Sequence, residues 1–217
     1  MKRYIAILAL GSAMATMNAM PAPAGAPEII VPDSTGFIFT DIISLPTTPV
    51  KNQNKSGTCW CFAGTSMLEE DVLRKGGPEL DLSEMYWVRQ NYIDKAKKYI
   101  MMDGKINFAQ GGSVADVLAA ASAIGAVPEE VYSGLNYGET KHSHYEMADG
   151  LKAYLDAMLN RGSRNLSDAW LKGFTAILDA YLGEVPSEFT YKGKKYTPES
   201  FAKEFKITPD DFVTITS

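Results

Sequence analysis

Cys59 lies in a segment whose residue types and spacing are suited to nucleophilic chemistry. Gln53 precedes it by six positions and Gly57 by two, and Trp60 follows it directly. A cysteine attacks carbonyl groups as its thiolate, and a helix N-terminus stabilises that anion through unpaired N–H groups and a partial positive charge. The Gln53 amide and the Cys59 backbone N–H can together donate to an oxyanion, while Gly57 lets a substrate approach the backbone. The pattern therefore predicts a thiol nucleophile at Cys59.

Cys61 is the second of the two cysteines and needs a separate explanation. Two positions along one helix, its side chain points about 200° away from that of Cys59, so a disulfide between them has poor geometry. A free cysteine in an apolar helix is usually a small buried hydrophobe, and we assign Cys61 to the core. A Cys-x-Cys metal clip needs further Cys or His ligands nearby, which the sequence lacks. We therefore predict no metal site, no cofactor and no structural disulfide.

The sequence offers no evident general base for Cys59. Its two histidines, His142 and His144, follow the cysteine by 83 and 85 residues, and no histidine comes after them. Both stand at the start of a predicted helix, where polar residues commonly cap the backbone. We therefore expect surface or helix-capping histidines at these positions, and no catalytic role for either.

Composition limits the classes of partner. The chain has 217 residues, of which 46% are hydrophobic, and 21 basic against 26 acidic residues give a net charge of −5. This length and apolar content suffice for a substantial core. An acidic chain without a basic stripe argues against nucleic acid and anionic membranes as partners. Beyond the N-terminal region no apolar run approaches the ~20 residues that a membrane span requires.

The N-terminal region has the features of a secretory signal. Residues 1–24 combine a basic pair, a short apolar stretch and an Ala-Pro-Ala sequence that resembles a cleavage site. Residues 25–35 are rich in Pro, Ala and Gly and read as an extended lead-in. Removal of the signal would leave 19 basic and 26 acidic residues, a net charge of −7. We expect an exported protein, periplasmic or secreted.

Periodicity and capping signals predict a mainly helical chain. Ser83, Ser113, Ser143 and Thr197 each stand before a helical pattern as candidate N-cap residues. The hairpin prediction depends on Gly193, which sits between two short β-rich runs. The predicted helices begin at Cys59, at residues 83, 113, 143 and 166, and after Thr197; extended segments are predicted at residues 28–31, 37–39, near Val50, at 189–196 and at 212–215.

Residues 50–64, with the sequence VKNQNKSGTCWCFAG, resemble the active-site segment of papain-like cysteine peptidases. Within that family they are most similar to the bleomycin hydrolase/aminopeptidase C branch. The sequence LSE at residues 82–84, the pair Gly111-Gly112 and the sequence GAVPEEVY at residues 125–132 resemble further parts of the same branch. The resemblance implies an α+β papain-like fold over residues 36–217, mainly its helical left domain, with inserted helices at 143–183.

The resemblance also implies the chemistry. Cys59 would attack a peptide carbonyl and Gln53 would stabilise the oxyanion, while Gly111, Gly112 and Trp60 would bind the peptide substrate. Members of the family take their base from a histidine oriented by an asparagine in the β-rich right domain. Most of that domain is absent from this sequence, so we expect a truncated chain, a gene fragment or one half of a two-chain assembly. Members of this branch assemble as hexameric rings, which suggests a homo-oligomer.

Two other functions remain open from the residues. A peptide-binding pseudoenzyme could use the edge at Gly111-Gly112 and need no base. A thiol redox protein could use Cys59 and Cys61, although the usual Cys-x-x-Cys spacing is absent. We also expect Trp60 and Tyr132 to lie on an apolar surface facing the remaining half of the fold.

Overall fold

The computed structural model describes residue 40 and residues 42–160, 165–213 and 215. The chain divides into two units, residues 1–44 and 45–217, and every element discussed below belongs to the second. The described residues form six α-helices, one β-hairpin and a short 3-10 helix. These are α1 (Cys59–Arg74), α2 (Glu84–Met101), α3 (Val114–Ile124), α4 (Tyr145–Asn160), α5 (Ala169–Leu182), β1 (Phe189–Tyr191), β2 (Lys194–Tyr196), α6 (Pro198–Glu204) and the 3-10 helix (Pro209–Asp211).

Short-range hydrogen bonds set most of the helix ends. The Ser83 hydroxyl accepts a backbone N–H in the first turn of α2, and the Asp116 carboxylate accepts the Ser113 N–H at 2.8 Å at the start of α3. The Thr197 hydroxyl accepts the Ser200 N–H in the first turn of α6. Gly125 ends α3 at a φ of +72°, where a Cβ would lie 2.4 Å from the Pro198 carbonyl oxygen. A side chain at that position would meet both backbone strain and a collision.

α2 is the central helix and contacts α1, α3, α4 and α5. Its side chains Met85 and Trp87 are 0% and 1% exposed. α1 and α3 cross at a short distance. A Cβ added to Gly64 of α1 would lie only 2.7 Å from Cγ2 of Val117 on α3. This close crossing brings the loop that precedes α3 to the start of α1, where Cys59 lies.

The hairpin and α6 share a separate aromatic cluster. β1 and β2 pair antiparallel with Phe189 opposite Tyr196, and the turn between them has positive φ at Lys192 and Gly193. The ring of Phe201 on α6 lies with its centroid 5.5 Å from the centroids of both Phe189 and Tyr196. Rings at such spacing contribute beyond their buried area, so α6 fixes the hairpin on the helical layer.

Several sequence expectations need correction. α4 begins at Tyr145 and not at Ser143, because Ser143 is held in a parallel bridge with Lys55. Residues 212 and 213 are not in a strand. Trp60 and Tyr132, expected on an apolar surface, are only 7% and 4% exposed.

The remaining helix and hairpin predictions agree with the structure to within a few residues. The expected signal peptide at residues 1–24, the lead-in at 25–35 and the extended segments at 28–31 and 37–39 lie outside the described residues. Within the described part of the chain no helix is both long enough and apolar enough to span a bilayer.

Candidate active site

Cys59 is the first residue of α1, and its side chain is exposed. Its backbone N–H belongs to the first turn, whose N–H groups have no carbonyl partner within the helix. The thiol therefore stands at the positive end of the helix, as predicted from the sequence. Such a position suits both a thiolate and a nearby oxyanion.

The loop before α1 is closed by its own polar groups. The Gln53 side-chain Nε2 donates to the Ser56 carbonyl at 2.7 Å, and the Ser56 hydroxyl donates to the Gln53 carbonyl at 2.8 Å. Thr58 occupies the N-cap position, but its side chain caps no backbone N–H and instead lies 2.6 Å from the Ser56 hydroxyl. The Gln53 amide thus has a fixed place on the loop that carries Cys59, with one N–H not used by the Ser56 carbonyl.

Gln110 joins the Cys59 loop to the glycine pair that follows it in sequence. Its Oε1 accepts the Gly57 N–H at 2.7 Å, and its carbonyl accepts the Trp60 Nε1–H at 3.1 Å. One residue thereby bonds to the chain on both sides of the nucleophile. Sequence reasoning stopped at the glycines and missed it. In the sequence, only the position of Gln110 next to the glycine pair could have indicated its role.

The two glycines have different surroundings. A Cβ on Gly112 would lie 2.6 Å from Cε2 of the Trp60 indole, whereas one on Gly111 would meet no atom within 4 Å. Gly111 is exposed and available to an approaching chain. Trp60, expected to bind substrate, lies buried beneath the loop and supports it.

Lys95 on α2 holds the glycine loop from the other side. Its ammonium donates to the carbonyl of Ala109 at 2.9 Å and also to the carbonyl of Gly111. Burial lowers the pKa of this lysine, although the Asp116 carboxylate opposes the effect. The loop is therefore fixed at its backbone, which leaves the exposed face of Gly111 unobstructed.

Cys61 is a core residue, as predicted. It is fully buried, and its thiol donates to the Glu84 carbonyl at 3.2 Å. Burial, followed by the charge of Glu84, raises the pKa of this thiol well above its ordinary value. The two cysteines are both free and have opposite environments, one exposed and one sealed.

Of the two expectations for His142 and His144, surface or helix-capping, the first is wrong because both are buried; His144 directly precedes α4, and its carbonyl accepts the Ala148 N–H. They are 8% and 1% exposed, and their ring centroids lie 5.5 Å apart. Their backbones hold the Cys59 loop, since the Lys55 N–H donates to the His142 carbonyl and the Lys55 carbonyl accepts the His144 N–H. Burial lowers the pKa of both, that of His144 to about 4. His144 has no hydrogen-bond partner at either ring nitrogen, so it does not pair with Cys59.

A charged cluster lies behind the same segment. The Lys51 ammonium is 2.9 Å from a Glu84 carboxylate oxygen, 3.2 Å from one of Glu69 and 2.6 Å from one of Asp81. Burial alone would lower the pKa of Lys51, but these carboxylates together raise it. These ion pairs attach Lys51, two residues before Gln53, to α1 through Glu69 and to α2 through Glu84.

The mainly helical fold and the exposed thiol at the start of α1 agree with the papain-like resemblance of residues 50–64. The family model for papain family cysteine proteases matches residues 41–158. This is more than half of the 217 residues, and the chain belongs to that family. The predicted class is therefore confirmed.

Curated relatives agree with this assignment. The mitochondrial cysteine proteinase 1 of Saccharomyces cerevisiae is 28% identical over 122 residues, which cover 48% of this chain and 25% of the yeast protein. Human cathepsin L2 is 47% identical over 47 residues, covering 22% of this chain and 13% of that protein. Mouse cathepsin K is 33% identical over 86 residues, covering 36% and 25%. The chain thus spans about a quarter or less of the length of these relatives.

The fold has a solved counterpart in PepW from Lactobacillus rhamnosis. The match has a TM-score of 0.54 at 21% identity and covers 76% of this chain and 45% of PepW. At this identity the match speaks for the fold alone. The papain-like fold class predicted from the sequence is confirmed by the family model and by this structural match.

Proposed function

We propose that this protein is, or forms part of, an exported cysteine peptidase of the aminopeptidase C/bleomycin hydrolase type that hydrolyses peptide bonds. The observation that carries the proposal is the exposed Cys59 at the first residue of α1, on a loop bonded through Gln110 to the glycine pair. Export rests on the sequence of residues 1–24.

The proposed reaction is acyl transfer through Cys59. The sulfur attacks the substrate carbonyl carbon, and the C–N bond of the peptide breaks as the amine leaves with a proton. Water then releases the acid and restores the thiol. The backbone N–H of Cys59 and the free N–H of the Gln53 amide would donate to the oxyanion, and the loss of one such donor typically costs about 10²–10³ in rate.

The peptide chain would lie along the exposed face of Gly111. An extended substrate can approach the backbone closely here, because a Cβ added to Gly111 would meet nothing within 4 Å, while the Gly111 carbonyl is already bonded to the Lys95 ammonium. Gly112 and Trp60 would act beneath this edge by keeping the loop in place. Whether the substrate is cut at its end or internally depends on residues other than these.

The proton would be moved by a histidine outside residues 1–217. His142 and His144 are buried and have lowered pKa values, so neither is suited to accept a proton from an exposed thiol. The relatives are several times longer than the part that this chain matches. We propose that the base comes from additional polypeptide, on the same chain or on a partner.

Hydrolysis of aminoacyl and dipeptidyl coumarin amides by the native protein tests this function. We expect Cys59→Ser to reduce turnover to background, whereas Cys61→Ser, a matched control on the same helix, should retain most of it. The protein should be isolated from its natural source, so that any additional polypeptide is present. Turnover that survives Cys59→Ser would refute the proposal.

Intact-mass measurement of the same preparation tests the source of the base and export. A Cys59-labelled species well above 23.7 kDa, the mass of the 217 residues, would show that further polypeptide is joined to them. An N-terminus near residue 25 in an extracytoplasmic fraction would support export. Binding of peptides without turnover, on a species no larger than 23.7 kDa, would favour the peptide-binding pseudoenzyme instead.

A further inference from the structure

A cavity of about 410 Å³ lies behind the segment that leads to Cys59, away from the glycine loop. Its walls come from the stretch around Lys51, from α1, from the start of α2 and from the hairpin. Phe62, Leu80 and Tyr191 supply apolar surface, while carboxylates line much of the remainder. Cavities of this size and mixed lining are typical of sites for small ligands and single side chains.

The charges around this cavity are unequal. Among the described residues that line it, five are acidic and Lys51 alone is basic. The Lys51 ammonium is already shared by three carboxylates, and Glu69 is further bonded to the Thr48 hydroxyl and the Leu82 N–H. Burial, followed by the charge of Glu84, raises the pKa of Glu129 to about 8. At alkaline pH, where Glu129 ionises, the cavity therefore has more negative groups than Lys51 alone can balance.

Two polar groups in the cavity wall lack a partner. The Glu129 Oε2 is buried without a hydrogen bond, and so is Nδ1 of His142, a residue only 8% exposed. Buried polar atoms in proteins are nearly always hydrogen-bonded, so such groups usually mark a missing partner. An ionised carboxylate oxygen accepts hydrogen bonds, and so does the imidazole Nδ1 when the ring carries its proton on Nε2, so one bound donor group can satisfy both atoms.

We propose that this cavity binds an organic monocation, a primary ammonium or guanidinium group on an aliphatic stem. The head group would donate to Glu129 and His142 and balance the excess carboxylates, and the stem would pack against Phe62 and Tyr191. Within the described residues no group of three or more His, Cys, Asp or Glu side chains is arranged to hold a metal ion, which favours an organic cation. Lysine or arginine side chains of another polypeptide segment and free alkylamines share this chemistry.

Isothermal titration with n-butylguanidinium at pH 8.5, where the Glu129 carboxyl is largely ionised, tests the site directly. The neutral isostere n-butylurea is the control ligand. We expect saturable binding of the cation and at least tenfold weaker binding of the urea. Glu129→Gln should weaken cation binding at least tenfold, whereas Glu130→Gln, the same charge change at an exposed neighbour, should leave it unchanged.

A second pair of ligands separates the two sources of the cation. If acetyl-arginine methylamide binds and its citrulline counterpart does not, the site accepts a side chain presented by a polypeptide. If n-butylguanidinium binds while the capped arginine does not, the site serves free small cations. Equal affinity for cation and urea, or a Glu129→Gln variant that is folded and binds n-butylguanidinium as tightly as the wild type, would overturn the proposal.

Discussion

Cys59 and Cys61 show how much the environment of a single residue decides its chemistry. They are separated by one residue on α1, yet one thiol is exposed and the other is sealed beneath α2 and bonded to the Glu84 carbonyl. Helical geometry alone separates them, because two positions correspond to about 200° of rotation. The sequence indicated this difference correctly, since it depends only on a helix that begins at Cys59.

Glu129 presents the opposite situation, because its burial could not be read from the sequence. It follows Pro128 in the segment that resembles a family motif, and two consecutive glutamates suggest a solvated loop. In the structure Glu129 lines the cavity, and its Oε2 is buried without a partner, whereas Glu130 is exposed. The difference in burial between Glu129 and Glu130 depends on which side chains α1 and α2 place beside each carboxylate.

We predict that Glu129→Gln stabilises the protein at alkaline pH. Burial raises the folded-state pKa of Glu129 from 4.5 to about 8, so the folded protein retains a proton that the unfolded chain releases. The stability from this group is therefore present at acidic pH and is lost as the pH rises from about 4.5 to 8. Urea unfolding at pH 8.5 should show a gain on the order of 2 kcal/mol for the variant, and little difference at pH 4.5. A gain of equal size at both pH values would contradict this account.

At the scale of elements, the site depends on two loops that are distant in sequence. The loop before α1 carries Gln53 and Cys59, the loop before α3 carries the glycine pair, and the close crossing at Gly64 brings the two together. Gln110 then bonds to Gly57 and to the Trp60 indole. The Gln110 side chain thus adds a direct bond that holds the glycine pair relative to the Cys59 loop.

We predict that Gln110→Ala impairs reactions that need both loops and spares those that need only the thiol. The variant should react with a peptidyl vinyl sulfone roughly tenfold more slowly, because the loss of one hydrogen bond costs about 1–1.5 kcal/mol. Alkylation of Cys59 by iodoacetamide should change less than twofold, since the exposed thiol needs no aligned loop. Stopped reactions analysed by intact mass give both rate constants.

Gln110→Glu is the conservative control for this experiment. Its carboxylate retains the acceptor for the Gly57 N–H and should restore most of the peptidyl rate. If both variants lose reactivity towards both reagents, Gln110 serves general stability and not the alignment of the loops. The free energy of unfolding, measured in urea, separates these two results.

At the scale of the whole molecule, the buried histidine pair connects the loop that precedes α1 to α4. The segment at residues 142–144 pairs with Lys55 on one side, and on the other the His144 carbonyl accepts the Ala148 N–H in the first turn of α4. The imidazoles are buried against each other with unpaired nitrogens. A second proton on His144, which is 1% exposed, would place a charge away from solvent.

We predict that this pair makes the protein sensitive to acid. Burial, followed by the charge of His142, lowers the folded-state pKa of His144 from 6.5 to about 4. The unfolded chain therefore binds the proton first, and stability is lost as the pH falls from about 6.5 to 4. His144→Phe should remove about 2 kcal/mol of the loss that the wild type shows between pH 7 and 4.5 in urea titrations. Identical losses in both proteins would exclude His144 as the cause.

The sequence by itself determined the features that depend on neighbouring residues. The start of α1 at Cys59, the ends of α2 and α3, the hairpin around Gly193 and the burial of Cys61 all follow from capping, periodicity and turn chemistry within a few positions. The papain-like class followed from one contiguous segment. These interactions are local, so the order of residues is enough to specify them.

Only the tertiary structure decided the features that join distant positions. Gln110 meets Gly57 across 53 residues, Lys51 meets Glu84 across 33, and His142 lies buried against the Cys59 loop. No local pattern encodes such pairs, because the same polar residue is solvated or buried according to which helix packs beside it. The sequence was therefore enough to propose Cys59 as a nucleophile, whereas the contacts that support its loop and the acidic cavity behind it arise from packing.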